Sequence, residues 1–353
     1  MNKKIIALAI AAAVAAPMAA QAAPTVYGKI NMGISSFDDG NSAAGTNNDG
    51  LAIFDEASRL GFKGSEDLGG GLSLVYKMEG TVDMDGSAAF NFNRDKMLGL
   101  KGGFGTVAIG RMNTAYKMTT GKMDLFADMA GDITSGDFGG FDQRENNMVK
   151  YMNKFGAVSL AVDLHLAEAI DNVGTTKVDE SAMGNTIGVN FKAGPVNVAI
   201  GSATCGGACA NGADEGSTST KIGVQWKSGP HTVNGQMISD SYVQAVGSPD
   251  YEIDVIVLQY GIKMGKNTFQ VSLSTSEGNS NVSGDTSKYD TEQTSIGVVH
   301  AMSKNTKAWV VYSSVDNDAD ANSEGRLFSG ISNTTTANGK DPSSLTVGIT
   351  HKF

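Results

Sequence analysis

The sequence has little cysteine, little proline and few charged residues. Of 353 residues, 2 are cysteine, 6 are proline and 18% are charged, whereas 45 are glycine. This combination fits neither a collagen-like chain nor a proline-rich disordered one. After residue 22 the sequence also lacks any run of 18 apolar residues, which excludes a membrane-spanning helix in the rest of the chain.

Residues 1–22 have the three parts of a secretory signal peptide. Lys3 and Lys4 precede the apolar run Ile5–Ala16, and the small-x-small sequence Ala-Gln-Ala ends at Ala22. The apolar run is too short to span a membrane, because a spanning helix needs about 20 residues. We therefore expect cleavage after Ala22 and export of residues 23–353 as one domain.

The exported part is acidic and carries no recognisable catalytic motif. Loss of Lys3 and Lys4 changes the formal net charge from −10 to −12, which argues against a nucleic-acid partner. The 4 histidines are scattered along the chain, and neither HExxH nor GxSxG occurs. We therefore predict no metal site, no cofactor and no enzymatic activity.

The two cysteines, Cys205 and Cys209, stand in the segment CGGAC. In an oxidising compartment a small local disulfide is the favoured interpretation of such a pair. A zinc site would need two more ligands, and no histidine or acid stands at a convincing spacing.

A period of two residues runs through the exported part. Apolar and polar residues alternate from Val26 to Ser35, from Val158 to Leu166, and again from Leu345 to Phe353. Because successive side chains of a strand point to opposite faces, each of these segments predicts a strand with one apolar face.

Short glycine-rich connections alternate with long polar ones, which is typical of consecutive hairpins. The predicted short connections are 65–71, 102–105, 153–157, 193–195, 228–230, 264–267 and 303–306, and the predicted long ones are 37–55, 83–91, 113–143, 167–181, 202–218, 241–250, 277–290 and 315–342. This arrangement predicts eight hairpin pairs and hence sixteen strands. Strands of about 10 residues, tilted near 45°, would cover the roughly 25 Å apolar band of an outer-membrane barrel.

The polar face of these strands carries many charges, which determines where that face must point. The charged residues assigned to it are Lys29, Arg59, Lys63, Lys77, Glu79, Asp83, Lys101, Arg111, Asp163 and Lys221. So many charges cannot fill a dry core, whereas a closed barrel in lipid can hydrate them in its lumen and leave no unpaired edge. The sequence therefore predicts an all-β, transmembrane antiparallel β-barrel with its apolar face outside.

Aromatic residues near strand ends are predicted to form a lipid-facing girdle: Trp226, Trp309, Tyr76, Tyr151, Tyr260, Tyr312 and Phe353.

At Ser58–Leu72 the chain reads SRLGFKGSEDLGGGL, and here it resembles the general diffusion porins of Gram-negative outer membranes. Further similar stretches are Thr25–Gly33, Leu98–Arg111, Gly136–Gly140, Arg144–Tyr151, Ala301–Ser313 and the terminal HKF. The resemblance implies a sixteen-stranded barrel, a homotrimer, and a third long connection folded inward to narrow the pore. It also implies that Phe353 belongs to a signal read by the machinery that inserts barrels into the outer membrane.

The resemblance further implies the residues of the narrowing. Lys29, Arg59, Arg94 and Arg144 match a basic ladder on the barrel wall. For Arg111 a conducting role and a merely structural ion pair stay open. In the third long connection the candidate opposing acids are Asp124, Asp128, Asp132 and Asp137. Asp137 matches best, and Asp128 or Asp132 would replace a second acid because Ile133 occupies its position.

Cations on one wall facing anions on a loop create a transverse field across a water column. The sequence thus predicts a passive, water-filled channel in the outer membrane, among its lipid and lipopolysaccharide, for ions and small hydrophilic solutes. The net charge of −12 and the acidic loops predict a weak cation preference. Two alternatives stay open: a substrate-selective channel, if Phe126, Phe138 and Phe141 line the pore, and a structural or adhesive surface barrel.

Overall fold

A computed structural model describes residues 23–40, 49–133, 141–166, 184–206, 215–243, 250–280, 290–318 and 339–353. These residues contain seventeen strand segments and one short helix. No helix among them has the length and apolar character needed to cross a membrane. The predicted signal peptide, Asp137, Phe138 and Cys209 lie outside the described residues.

The strand segments follow one another around a single sheet, each antiparallel to its neighbours. They are β1 (Thr25–Asp38), β2 (Gly50–Asp55), β3 (Arg59–Gly69), β4 (Leu72–Thr81), β5 (Lys96–Gly102), β6 (Gly105–Asn113), β7 (Arg144–Phe155), β8 (Val158–His165), β9 (Gly184–Ala193), β10 (Val196–Thr204), β11 (Thr218–Ser228), β12 (His231–Tyr242), β13 (Tyr251–Met264), β14 (Asn267–Ser280), β15 (Thr291–Ala301), β16 (Thr306–Asn317) and β17 (Ser343–Lys352). The helix α1 (Ala115–Thr120) lies between β6 and β7.

The sheet closes on itself, because β1 pairs with β17 as well as with β2 and β3. Met32 lies opposite Asp55, and Lys29 lies opposite Arg59, so β2 and β3 are two halves of one strand. One extra residue between them forms a bulge, where Ala57 has a φ of 54°. Counted in this way, the barrel has sixteen strands, and the predicted fold class is confirmed.

The short turns lie where glycine-rich connections predicted them; β9, for example, ends at Ala193 and β10 begins at Val196. The first long connection is shorter than predicted. Its predicted range was 37–55, but β1 continues to Asp38 and β2 already begins at Gly50. The apolar residues after Gly50 explain the difference, since they extend the lipid-facing surface: Leu51 and Ile53 are both exposed.

Exposure along the strands is the reverse of that in a water-soluble protein. On β11, Ile222 is 50% exposed and Lys221 is 1% exposed. Serine, threonine, asparagine and glutamine side chains fill most of the remaining inward positions, as Ser272, Ser274 and Gln259 do. The apolar face therefore points outward and the polar face lines the interior, as predicted.

Two predicted positions on the barrel are wrong. Trp309 does not belong to a lipid-facing girdle, because it points inward, packs against Phe54, and covers Gly348, where any side chain would collide with the indole ring. Asp83 is not a wall residue; it lies in the connection 82–95, where its carboxylate accepts the N–H groups of neighbouring loop residues. An aspartate two residues beyond a strand end serves the loop rather than the sheet.

Candidate functional site

The third long connection, residues 114–143, enters the barrel at α1. The N–H of Ala115 donates to Oδ2 of Asp163 on β8 at 2.6 Å. The N–H of Tyr116 donates to Oγ1 of Thr186 on β9 at 3.1 Å. These wall side chains satisfy the free N–H groups at the start of the helix and so hold α1 against the inner wall.

Beyond α1, amide side chains of the wall bind the backbone of the connection. The N–H of Leu125 donates to Oε1 of Gln259 on β13, and Nε2 of Gln270 on β14 donates to the carbonyl of Leu125, both at 2.9 Å. Nε2 of Gln259 also donates to Oδ1 of Asp124 at 2.8 Å. The chain therefore follows the wall from strand to strand instead of hanging free in the lumen.

An apolar contact fixes the next part of the connection. Phe126 is fully buried among Phe54, Trp309 and Val311, and it lies over Gly297, where a Cβ would come within 3.1 Å of the phenyl ring. Phe126 thus anchors the connection and does not line the water. The aromatic lining proposed for a substrate-selective channel therefore cannot include it.

The connection meets the opposite wall at Asp128. Oδ2 of Asp128 lies 2.8 Å from Nζ of Lys29, and Oδ1 lies 3.8 Å from Nη1 of Arg59. Nδ2 of Asn31 donates to the carbonyl of Asp128 at 2.7 Å. Burial would raise the pKa of Asp128, but the charges of Lys29 and Arg59 outweigh it and hold that pKa below its usual value.

Acids within the wall itself pair with the other basic residues. Nε of Arg94 lies 2.5 Å from Oε1 of Glu79, and Nε of Arg144 lies 2.9 Å from Oδ1 of Asp95. Nζ of Lys77 joins the two pairs, at 3.3 Å from Glu79 and 2.7 Å from Asp95. We call Lys29, Arg59, Lys77, Arg94 and Arg144 the basic wall.

Sequence reasoning placed Lys77 and Glu79 in the lumen but missed their part in the narrowing, and it missed Asp95 altogether. Glu79 follows Lys77 by two residues on β4, so the alternation could have assigned both to the basic wall. Asp95 stands just before β5, outside any periodic segment. Burial would raise the pKa of Asp95, but the charges of Lys77 and Arg144 outweigh burial and hold that pKa below its usual value.

The predicted acids of the third connection do different things. The carboxylate of Asp124 accepts the N–H groups of Phe126 at 2.9 Å and Ile133 at 3.2 Å, and that of Asp132 accepts the N–H of Asp128 at 2.7 Å. These two acids stabilise the shape of the connection. Burial, and then the neighbouring charge of Asp132, raise the pKa of Asp124 well above its usual value.

Arg111 lies apart from the basic wall. It continues the alternation of Val107 and Ile109, which are exposed on the outer face of β6. Its guanidinium donates to the carbonyl of Asn93 at 2.8 Å and to Oδ1 of Asn146 at 3.0 Å. The prediction that Arg111 belongs to the lumenal wall is therefore wrong, because the phase of β6 turns its side chain outward.

Two further predicted residues lie at strand ends. Phe353 pairs with Gly28 of β1 through both backbone hydrogen bonds, at 3.0 and 3.2 Å, so the last residue takes part in closing the barrel. Cys205 is buried just after β10 and is disulfide-bonded; the only other cysteine of the chain is Cys209.

One group of acids among the described residues could hold a metal ion. Oxygen atoms of Asp38, Asp39 and Asp49 lie within 4.8 Å of one another at the end of β1. The group is remote from the narrowing; Asp38 and Asp49 are exposed, and exposed acidic groups are common without an ion. The group therefore gives no indication of function.

The chain is similar in sequence to known outer-membrane proteins. A family model described as Gram-negative porin matches residues 7–320. Outer membrane porin protein 32 of Delftia acidovorans is 29% identical over 387 aligned residues, covering 100% of both chains. Major outer membrane protein P.IB of Neisseria meningitidis serogroup B is 39% identical over 122 residues, which are 34% of this chain and 36% of the relative.

Solved structures share the architecture. An anion-selective porin from Comamonas acidovorans has a TM-score of 0.76 at 23% identity, covering 94% of this chain and 99% of that one. OmpT of Vibrio cholerae in its trimer form has a TM-score of 0.67 at 15% identity, covering 94% and 99%. At these identities the likeness concerns the fold alone.

Proposed function

The chain belongs to the Gram-negative porin family, and from that premise we propose that its channel passes small anions more readily than small cations. An outer-membrane porin forms a channel, and its family consists of channels rather than enzymes. Passage of ions and small hydrophilic solutes through it is passive, since water replaces the hydrocarbon barrier and no chemical step is needed.

The observation that carries the anion preference is the unequal exposure of the charges at the narrowing. Four basic side chains are 15–28% exposed to the lumen: Arg59, Lys77, Arg94 and Arg144. Of the acids that they contact, only Asp128 is more exposed, at 36%. A permeating ion therefore meets mainly positive charge at this level of the pore.

The remaining acids of the connection oppose this field weakly. Asp124 is buried and directed toward backbone N–H groups, and its raised pKa favours the neutral form. Asp132 is buried as well. The expected weak cation preference was based on the net charge and the acidic loops. A net charge counts every acid equally, so it gives these buried acids more weight than they have in the pore.

Other observations support this sign and the assembly. The similar porin from Comamonas acidovorans is described as anion-selective, which agrees with the proposed preference. A structurally similar protein of Vibrio cholerae is described in a trimer form, and we propose a homotrimer for this chain too. A substrate-selective channel is not favoured, because Phe126 packs in an apolar cluster and Phe141 packs against Tyr116 and Tyr242.

Reversal potentials of single channels in a potassium chloride gradient test the proposal. The wild-type potassium-to-chloride permeability ratio should be below one. A unit charge about 8 Å from an ion in water contributes roughly 0.5 kcal/mol, which screening by salt over one Debye length reduces to about 0.2 kcal/mol. The contribution has opposite signs for potassium and chloride, so Arg59→Gln should raise that ratio about twofold. Arg111→Gln is the matched control; it removes the same charge from the outer face and should leave the ratio unchanged.

Two results would contradict the proposal. A wild-type ratio above one would restore the cation preference. An equal shift in Arg59→Gln and Arg111→Gln would mean that total charge, and not the basic wall, sets the preference.

A further inference from the structure

A short motif recurs at the turns of the barrel. Lysine, any residue and glycine stand at five of the seven short turns: Lys101–Gly103, Lys154–Gly156, Lys192–Gly194, Lys227–Gly229 and Lys263–Gly265. In the last four, the glycine has a φ between 54° and 63°, a left-handed conformation that glycine adopts without strain. Turn geometry explains the glycine, but it does not require a lysine two residues earlier.

The lysines of this motif share one face of the sheet, and it is the inner one. Lys192 lies on the same face of β9 as Gly188, where a Cβ would point at the backbone of α1. Lys263 continues the alternation of Gln259, which binds the third connection. Lys154 continues that of Lys150, which donates to Met118 of α1. Each lysine therefore lies on the lumen side of its strand.

Two more lysines complete the set. Lys63 shares the inner face of β3 with Arg59, and its Nζ lies 4.9 Å from the ring centroid of Tyr27. Lys352 shares the inner face of β17 with Thr350. Together they form the lysine ring: Lys63, Lys101, Lys154, Lys192, Lys227, Lys263 and Lys352.

The lysine ring occupies seven of the eight strands that run toward the short-turn end. On the eighth strand, β15, the last inward-facing residue is Ala301 instead of a lysine. Short turns of outer-membrane barrels face the periplasm, so the ring surrounds the periplasmic mouth.

The positive charge of the ring is not neutralised locally. Within the part of the chain that the structure describes, none of its seven ammonium groups forms an ion pair, and all seven residues are exposed. The acidic side chains described at this end are Glu66 and Asp67, both near the first short turn. The basic wall differs in this respect, because each of its members contacts an acid.

Five members of the ring form one evenly spaced band of charge: Lys101, Lys154, Lys192, Lys227 and Lys263. Neighbours in this band stand two strands apart, about 10 Å along the hydrogen-bond direction, whereas Lys63 and Lys352 lie further from their ring neighbours. The Debye length at physiological ionic strength is about 8 Å, so an anion midway between two adjacent members, about 5 Å from each, lies within the Debye length of both. A multivalent anion at the mouth can interact with several of them at once, whereas chloride gains only a single charge interaction.

We propose that the lysine ring is a binding site for multivalent anions, of the oligophosphate or polycarboxylate class, at the periplasmic mouth of the channel. Because the ring faces the lumen, it takes these anions from water and not from phospholipid head groups outside the barrel. An anion held there narrows the mouth and reduces the ion current. The inference requires the channel but not its chloride preference, which depends on a different set of residues.

Planar-bilayer recording of the intact protein in about 0.1 M potassium chloride, with sodium tripolyphosphate as the probe, tests the ring. The probe should reduce the current reversibly. The concentration needed should be lower when the probe is added to the chamber that the periplasmic mouth faces than when it is added to the other chamber. Lys227→Gln with Lys263→Gln should raise the half-blocking concentration on that side on the order of fivefold to tenfold. Ala301→Lys places a lysine on the eighth strand and should lower it.

Control variants separate the ring from other charges. Lys266→Gln with Lys304→Gln removes two charges from the turns themselves and should stay close to wild type. Absence of block in the wild type overturns the proposal, as does an equal change in the ring and turn variants. If Arg59→Gln abolishes the block while Lys227→Gln with Lys263→Gln is blocked like the wild type, the anion binds to the basic wall and not to the lysine ring.

Discussion

Asp124 and Asp128 stand four positions apart in one connection, yet their surroundings give them different roles. The Asp128 carboxylate contacts two cations, at 2.8 and 3.8 Å, which hold its pKa below the usual value. Asp124 accepts backbone and amide N–H groups, and burial beside Asp132 raises its pKa. Of these two acids, Asp128 is therefore the one that acts as a fixed negative charge at the narrowing.

Replacement of Asp128 by asparagine should strengthen the anion preference. The substitution keeps the size of the side chain but removes the charge that faces Lys29 and Arg59. We expect the potassium-to-chloride permeability ratio to fall about twofold, by the same Coulomb argument as for Arg59. Reversal potentials under a salt gradient measure it.

The pH dependence of this difference is a second check. A carboxyl group with a lowered pKa keeps its charge until the pH falls through that lowered value. The wild type and Asp128→Asn should therefore differ nearly as much at pH 4 as at pH 7, whereas an aspartate of ordinary pKa, about 3.9, is nearly half protonated at pH 4. A difference that falls by about half between pH 7 and pH 4 would contradict the pairing.

At the scale of the element, the third connection has little structure of its own. Its only helix among the described residues, α1, has 6 residues, far fewer than an isolated helix needs in water. The wall holds it in place instead, through Asp163 and Thr186 at α1, Gln259 and Gln270 in the middle, and Lys29 at the far side. Its path is therefore a property of the barrel interior.

Gln259→Leu should loosen the connection without opening the barrel. The wild-type amide binds the N–H of Leu125 and the carboxyl group of Asp124. Without it these buried groups lose a partner, at about 1–3 kcal/mol each. We expect larger open-channel current noise and faster proteolysis within residues 114–143, while the temperature of barrel unfolding changes little.

Ser313→Ala is the matched control for this prediction. Ser313 is equally buried, but its hydrogen-bond partners Ser295 and Gln293 belong to the wall. It should leave the current noise at the wild-type level. Equal noise in Gln259→Leu and the wild type would mean that the amide does not hold the connection.

At the scale of the whole molecule, the barrel is a closed ring with its apolar face outside. Among the strands of the described residues, closure between β1 and β17 leaves no edge unpaired, which a structure in hydrocarbon requires. The two tryptophans of the chain lie on opposite faces of this ring: Trp226 is 39% exposed and Trp309 is 1% exposed.

Quenching of tryptophan fluorescence by brominated lipid should distinguish these faces. Trp309→Phe, which keeps Trp226, should be quenched strongly, because the remaining indole meets the acyl chains. Trp226→Phe, which keeps Trp309, should be quenched little. Equal quenching of the two variants would contradict the orientation of β16, and the reverse order would contradict the sidedness of the whole barrel.

The sequence by itself determined the strands, the turns and the direction of each face. These properties are local: alternation such as that of Ile222 with Lys221 requires only that neighbouring side chains point to opposite sides. The closing contact of the last strand with the first followed from the need to leave no unpaired strand edge in hydrocarbon.

Only the tertiary structure decided which charges meet in the pore. The hydrogen bond between Leu125 and Gln259 joins residues 134 positions apart, and that between Asn31 and Asp128 joins residues 97 apart. Such contacts depend on the path of one connection across the lumen, and no periodic pattern in the sequence encodes that path. Asp95 was missed for a different reason, because it stands outside any periodic segment. Arg111 was assigned to the wrong face although the alternation of Val107 and Ile109 places it on the outer one, while the strands that carry the channel were predicted correctly.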